Sequence, residues 1–122
     1  MVSRDAGRAA ALQRGGGTLA LVDGHRSAER RSLAMHHAIA DRLRADPSLV
    51  SVARKRLVQW RATGRAHLEY VDAWERALAL PLEDLCAQLV DLGEQALALR
   101  QVSPFAGVLS APERWRIIKS VA

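Results

Sequence analysis

The sequence predicts an all-α protein: a single compact domain of five or six short helices over residues 27–122, preceded by a flexible basic N-terminal extension over residues 1–26. Three observations carry that expectation. Apolar residues recur at three- and four-residue steps from Ser27 onward, which is the period of a helix face. Helix-stopping and helix-starting residues punctuate that pattern at Asp46-Pro47, Gly64, Leu80-Pro81, Gly93 and Ser110–Glu113. An alternating β pattern is absent outside Thr18–Val22, and no repeat of about 20–50 residues is visible.

Length and composition bound the answer further. A chain of 122 residues suits one domain, and 49% hydrophobic with 25% charged residues excludes global disorder. No apolar run approaches the roughly 20 residues of a membrane-spanning helix, so no membrane role is expected. A single cysteine, Cys86, leaves neither an internal disulfide nor a thiolate metal site, and points to a reducing compartment.

The extension is set apart by Gly15-Gly16-Gly17, which is entropically expensive to order, and by scattered arginines. An Arg-rich, acid-poor start also fits a targeting peptide, against which Asp5, Asp23 and the lack of a Ser-rich amphipathic pattern argue. A start codon placed too far upstream is the third account of this segment.

The first helix carries Leu33, His36, Ala40 and Leu43 on one stripe, flanked by Met35 and Ile39, and stops near Ala45. Asp46 as N-cap and Pro47 in the first turn restart the chain. The second helix presents Leu49, Ala53, Leu57 and Trp60 and ends at Gly64, a C′ residue. The third sets Tyr70, Val71, Trp74, Ala77 and Leu78 against Glu69, Asp72, Glu75 and Arg76. The fourth begins after Pro81 with Glu83 and Asp84 favouring its dipole, and its stripe is Leu82, Leu85, Leu89 and Leu92. A fifth covers Glu94 to Arg100. The last opens on a capping box, Ser110 with Glu113, and buries Trp115, Ile118 and Val121.

The catalytic inventory is thin, and a non-enzyme is expected. His36-His37 is an adjacent pair whose rings diverge by about 100° on a helix, unlike metal-binding histidines spaced three or four apart. Asp41 could orient His37, but a core histidine is the simpler account. Cys86 shares its helix with Leu82, Leu85 and Leu89, as a buried inert thiol would. No nucleotide-binding or nucleophile motif is present, so neither a cofactor nor a metal is expected.

Charge is more informative. Residues 1–65 hold 13 basic and five acidic side chains, whereas residues 66–122 hold five and eight, so the net +5 is unevenly placed. Arg54, Lys55, Arg56, Arg61 and Arg65 crowd the second helix and its exit, with Arg54, Arg61 and Arg65 near one face. That face could meet phosphates, complement an acidic partner, or simply be solvated. A helix-turn-helix around Gly93 is a poor match, because the helix after it offers few base-reading groups. The segment Val102–Leu109 places Pro104, Phe105 and Val108 between two helices, either as a partner loop or as closure of the domain's own core.

Three stretches, Arg31-Ser-Leu-Ala-Met-His36, Leu43-Arg-Ala-Asp-Pro47 and Leu99 to Leu109 with Glu113-Arg-Trp115, resemble small helical antitoxin-like proteins of bacterial toxin–antitoxin modules over about residues 30–118. The resemblance implies a cytoplasmic protein that neutralises a cognate toxin by contact and often binds its operon's DNA. It defines no individual functional residue. The expected function is therefore a non-enzymatic antitoxin. The alternative is a small DNA-binding transcriptional regulator using the Arg54–Arg65 face, and a third class is an enzyme using His37 and Asp41. Self-association, as a homo-oligomer, stays open.

Overall fold

A computed structural model describes residues 16–121, with side-chain surroundings from Arg26 onward. The described residues form helices throughout: α1 Gly16–Ala45, a 3-10 turn Pro47–Leu49, α2 Val50–Thr63, α3 Leu68–Leu78, α4 Leu82–Leu89, α5 Glu94–Arg100 and α6 Ala111–Val121. The all-α class is as expected. Helix α1 begins at Gly16, well before Ser27, so Thr18–Val22 lies in a helix and not in a strand. The Leu-Ala-Leu core of that segment has strong helix propensity, which outweighs its two β-branched ends. Residues 1–15 of the predicted extension lie outside the described residues. Along α1 the chain passes from one compact unit, ending at Arg30, into a second, Arg31–Ala122. In the first, Arg30 Nη2 donates to Ser27 Oγ at 3.2 Å. The second unit holds the core.

Local chemistry sets the helix ends. Asp46 Oδ1 accepts from Ser48 N at 3.2 Å and caps the 3-10 turn, with Pro47 supplying a fixed φ. Gly64 closes α2 at φ 70°, the left-handed region where a Cβ would cost about 1 kcal/mol or more, and donates its N–H to Trp60 O at 2.8 Å. His67 caps α3 by accepting from Glu69 N at 3.4 Å. At α6, Ser110 N donates to Glu113 Oε1 at 2.9 Å and Glu113 N to Ser110 Oγ at 3.2 Å, completing the predicted box.

Helix α3 is the hub, packed against α2, α4 and α5. Val71, Trp74, Ala77 and Leu78 point from it into a core shared with Ile39, Ala40 and Leu43 of α1, Ala53 and Leu57 of α2, and Leu85, Cys86 and Leu89 of α4. Two predicted stripes depart from this. Leu92 is 77% exposed. Helix α4 ends at Leu89, and Asp91 Oδ2 accepts from Gly93 N at 2.9 Å, turning the chain before Leu92 can continue the stripe. A Cβ on Gly93 would meet that same oxygen at 2.9 Å, so a larger residue there would displace the Asp91 carboxylate from its bond to the turn. Trp115 is 59% exposed, and α6 contains no buried residue. The side of α6 turned to the body is instead that of Glu113 and Ile117, because Arg42 of α1 bonds Glu113 and Ile117 packs on the core.

Candidate functional site

The basic face of α2 was the strongest charged feature of the sequence, and α3 consumes part of it. Arg61 Nη2 lies 2.6 Å from Asp72 Oδ1 and 2.8 Å from Glu75 Oε1, both on the next helix. Those two bonds, Asp72 first, hold the Arg61 guanidinium above its usual pKa. Arg54 Nη2 donates to Leu78 O at 3.2 Å, satisfying a carbonyl at the C-terminal end of α3. Lys55, Arg56 and Arg65 enter no hydrogen bond or ion pair among the described residues, and Lys55 and Arg65 are exposed. Of the five cations, then, two tie α2 to α3 and three are available to a partner.

The loop Val102–Leu109 is turned inward. Pro104 and Phe105 are fully buried, and Val108 and Leu109 nearly so. Phe105 meets Trp74 edge-on, with centroids 5.8 Å apart and planes at 70°. Pro104, Phe105 and Val108 lie inside the domain, as the core-closing reading has it, and present almost no outer face to a protein partner.

A polar latch sits behind that loop. His36 of α1 is buried, with Nδ1 2.7 Å from Ser32 O and Nε2 2.8 Å from Ser103 Oγ. A carbonyl can only accept, so Nδ1 carries the hydrogen and Nε2 takes the hydroxyl proton of Ser103. Ser103 Oγ in turn accepts from Phe105 N at 3.3 Å. Burial pushes the His36 pKa down, the Ser32 carbonyl opposes this, and the Arg100 charge adds to the lowering. His37 is exposed, and no hydrogen bond joins it to Asp41, whose Oδ1 lies 3.3 Å from Arg44 Nη1. The His37–Asp41 pair expected of an enzyme does not form.

The latch fixes the sign of a pH dependence. Because the folded chain holds His36 neutral, the unfolded chain binds more protons once the pH drops below the ordinary value of 6.5. This contribution to stability is complete above that pH and is lost progressively on acidification toward the folded pKa. The urea midpoint is expected to fall between about pH 7.5 and pH 5.5, and His36→Gln should flatten that fall. An equal fall in the variant would show that other groups cause it.

Nearby, Arg100 is buried and Nη1 donates to Leu89 O at 3.2 Å and Asp91 O at 2.7 Å, closing the end of α4. Arg114 Nη1 donates to Ala106 O at 3.3 Å and Leu109 O at 3.0 Å, fastening the first turn of α6 to the loop. Sequence reading missed Ser103, Arg100 and Arg114, since their partners are carbonyls and a distant histidine, which leave no local motif. No group of His, Cys, Asp and Glu among the described residues is arranged to hold a metal, and no helix among them is long and apolar enough to cross a membrane. The most exposed aromatic feature is Trp115 on α6, with Lys119 Nζ 5.7 Å from its ring centroid. No protein-family model, curated protein or solved structure matches the chain.

Proposed function

We propose that this chain is a non-enzymatic binding protein, a cytoplasmic antitoxin that neutralises a cognate toxin by direct contact through the outer face of α6. The observation that carries the reading is the state of Trp115: a tryptophan left 59% exposed on a capped helix that buries none of its residues. Tryptophan is enriched among the few aromatic and Arg side chains that dominate the energy of a protein interface, and an exposed apolar surface of this kind marks a contact site. Exposed Arg116 and Lys119 flank it and suit an acidic partner surface. The resemblance of residues 30–118 to antitoxin-like proteins supplies the class of partner.

The regulator reading draws on less. Arg54 and Arg61, two of the cations meant for phosphates, already hold α3, and exchanging those contacts for DNA would cost the domain its internal pairing. Operator binding alongside toxin binding would rest on Lys55, Arg56 and Arg65.

The test is capture of partners by the tagged chain from its own host at about 150 mM salt, with and without nuclease, a concentration that removes weak phosphate contacts. The expected result is one stoichiometric protein in both halves, encoded nearby, whose expression alone arrests growth and whose arrest this chain relieves. Recovery of DNA alone, or a companion that is harmless when expressed, would overturn the reading.

A further inference from the structure

A cavity of about 250 Å³ lies between α1, the loop Val102–Leu109 and the start of α6. Its lining is mostly apolar, from Met35, Ile39, Phe105 and Leu109, and it includes no carboxylate. Two guanidinium groups stand in its wall: Arg100, whose Nη1 is held by Leu89 O and Asp91 O, and Arg114. The two carbonyl bonds of that residue both use Nη1, which fixes the plane of the guanidinium. Its Nε and Nη2 donors have no acceptor among the described residues, and they form the side-on fork that matches the two oxygens of a carboxylate. His36 and Ser103 in the wall are already engaged: Ser103 donates its hydroxyl hydrogen to His36, and His36 donates its own to Ser32 O. An apolar space with the open guanidinium fork of Arg114 in its wall suits a ligand with one anionic end and one apolar end.

We propose that this cavity binds a small amphipathic monocarboxylate, with its alkyl tail against Met35, Ile39, Phe105 and Leu109 and its carboxylate on the free edge of Arg114. The volume falls below the roughly 300 Å³ at which drug-sized sites begin, so the tail is short. The site is distinct from the outer face of α6 and does not depend on what α6 binds.

Octanoate, octanol and acetate separate the contributions, each titrated calorimetrically into the full chain below any micelle-forming concentration. Octanoate is expected to bind at one site, about tenfold or more tighter than octanol or acetate. Amide shifts in a ¹⁵N-labelled sample should centre on Met35, Ile39 and Leu109. Arg114→Gln should reduce octanoate to the affinity of octanol, and Arg114→Lys, which keeps the cation, should restore part of the difference. Absence of octanoate binding, equal binding of octanol, or shifts centred on another part of the chain would each overturn the proposal. The octanoate-to-octanol comparison needs only the unaltered chain, so it decides the matter even if Arg114→Gln loosens α6.

Discussion

Phe105→Ala is expected to lower the unfolding free energy by about 3–5 kcal/mol, the largest effect of any single truncation outside the helices. Phe105 is 0% exposed and makes the only aromatic contact of Trp74 among the described residues. Its ring also borders the 250 Å³ cavity. Truncation would join the new void to that one, and a void lined by several elements relaxes poorly, which places the cost high in the range. The loss is a large share of the roughly 5–15 kcal/mol that a domain of this size has in total. It should appear as a lower urea midpoint at unchanged slope. A loss under about 1 kcal/mol, the level of a surface change, would show that the loop does not close the core. Phe105→Leu, which keeps most of the volume, should cost about 1.5 kcal/mol or less.

Trp115→Ala should do the reverse. Its ring lies mostly in solvent, so the urea midpoint should shift by no more than about 0.5 kcal/mol in free-energy terms. Binding of the captured toxin should weaken by about 2 kcal/mol or more, close to thirtyfold, because a central tryptophan in an interface is worth that much on truncation. Unchanged affinity would remove α6 from the contact while leaving the antitoxin reading to stand or fall on growth rescue. Because stability and affinity move separately in this variant, a merely unfolded protein cannot imitate the result.

Capped helix ends were legible in the sequence because caps are short-range chemistry, whereas the start of α1 at Gly16 and the end of α4 at Leu89 were not. Asp46, Gly64 and the Ser110–Glu113 box each act on backbone groups within four residues, and each stands where its spacing predicts. Facing was less legible. Leu92 and Trp115 continue apolar stripes on paper, but one lies beyond a turn and the other on a helix held by its polar edge. The candidate site shows the same divide more sharply. Arg61 reads as a free cation until α3 folds back to place Asp72 and Glu75 beside it. His36 finds Ser103 67 residues away, a pairing that no local spacing encodes. Burial of Phe105 was one of two open readings, and only the packing of the loop on α3 decides between them.

The buried thiol gives this chain a clock of its own. Cys86 is the sole cysteine, has no exposed surface, and donates weakly to Ala40 O at 3.6 Å across the contact between α1 and α4. Burial also pushes its pKa up, so even a reagent that arrived would meet a protonated sulfur. Modification must therefore wait for those two helices to part. The rate at which a thiol reagent consumes the protein then measures how often the core opens, without any label, and a ligand that tightens the α1 side of the core would slow it in proportion to the opening it suppresses.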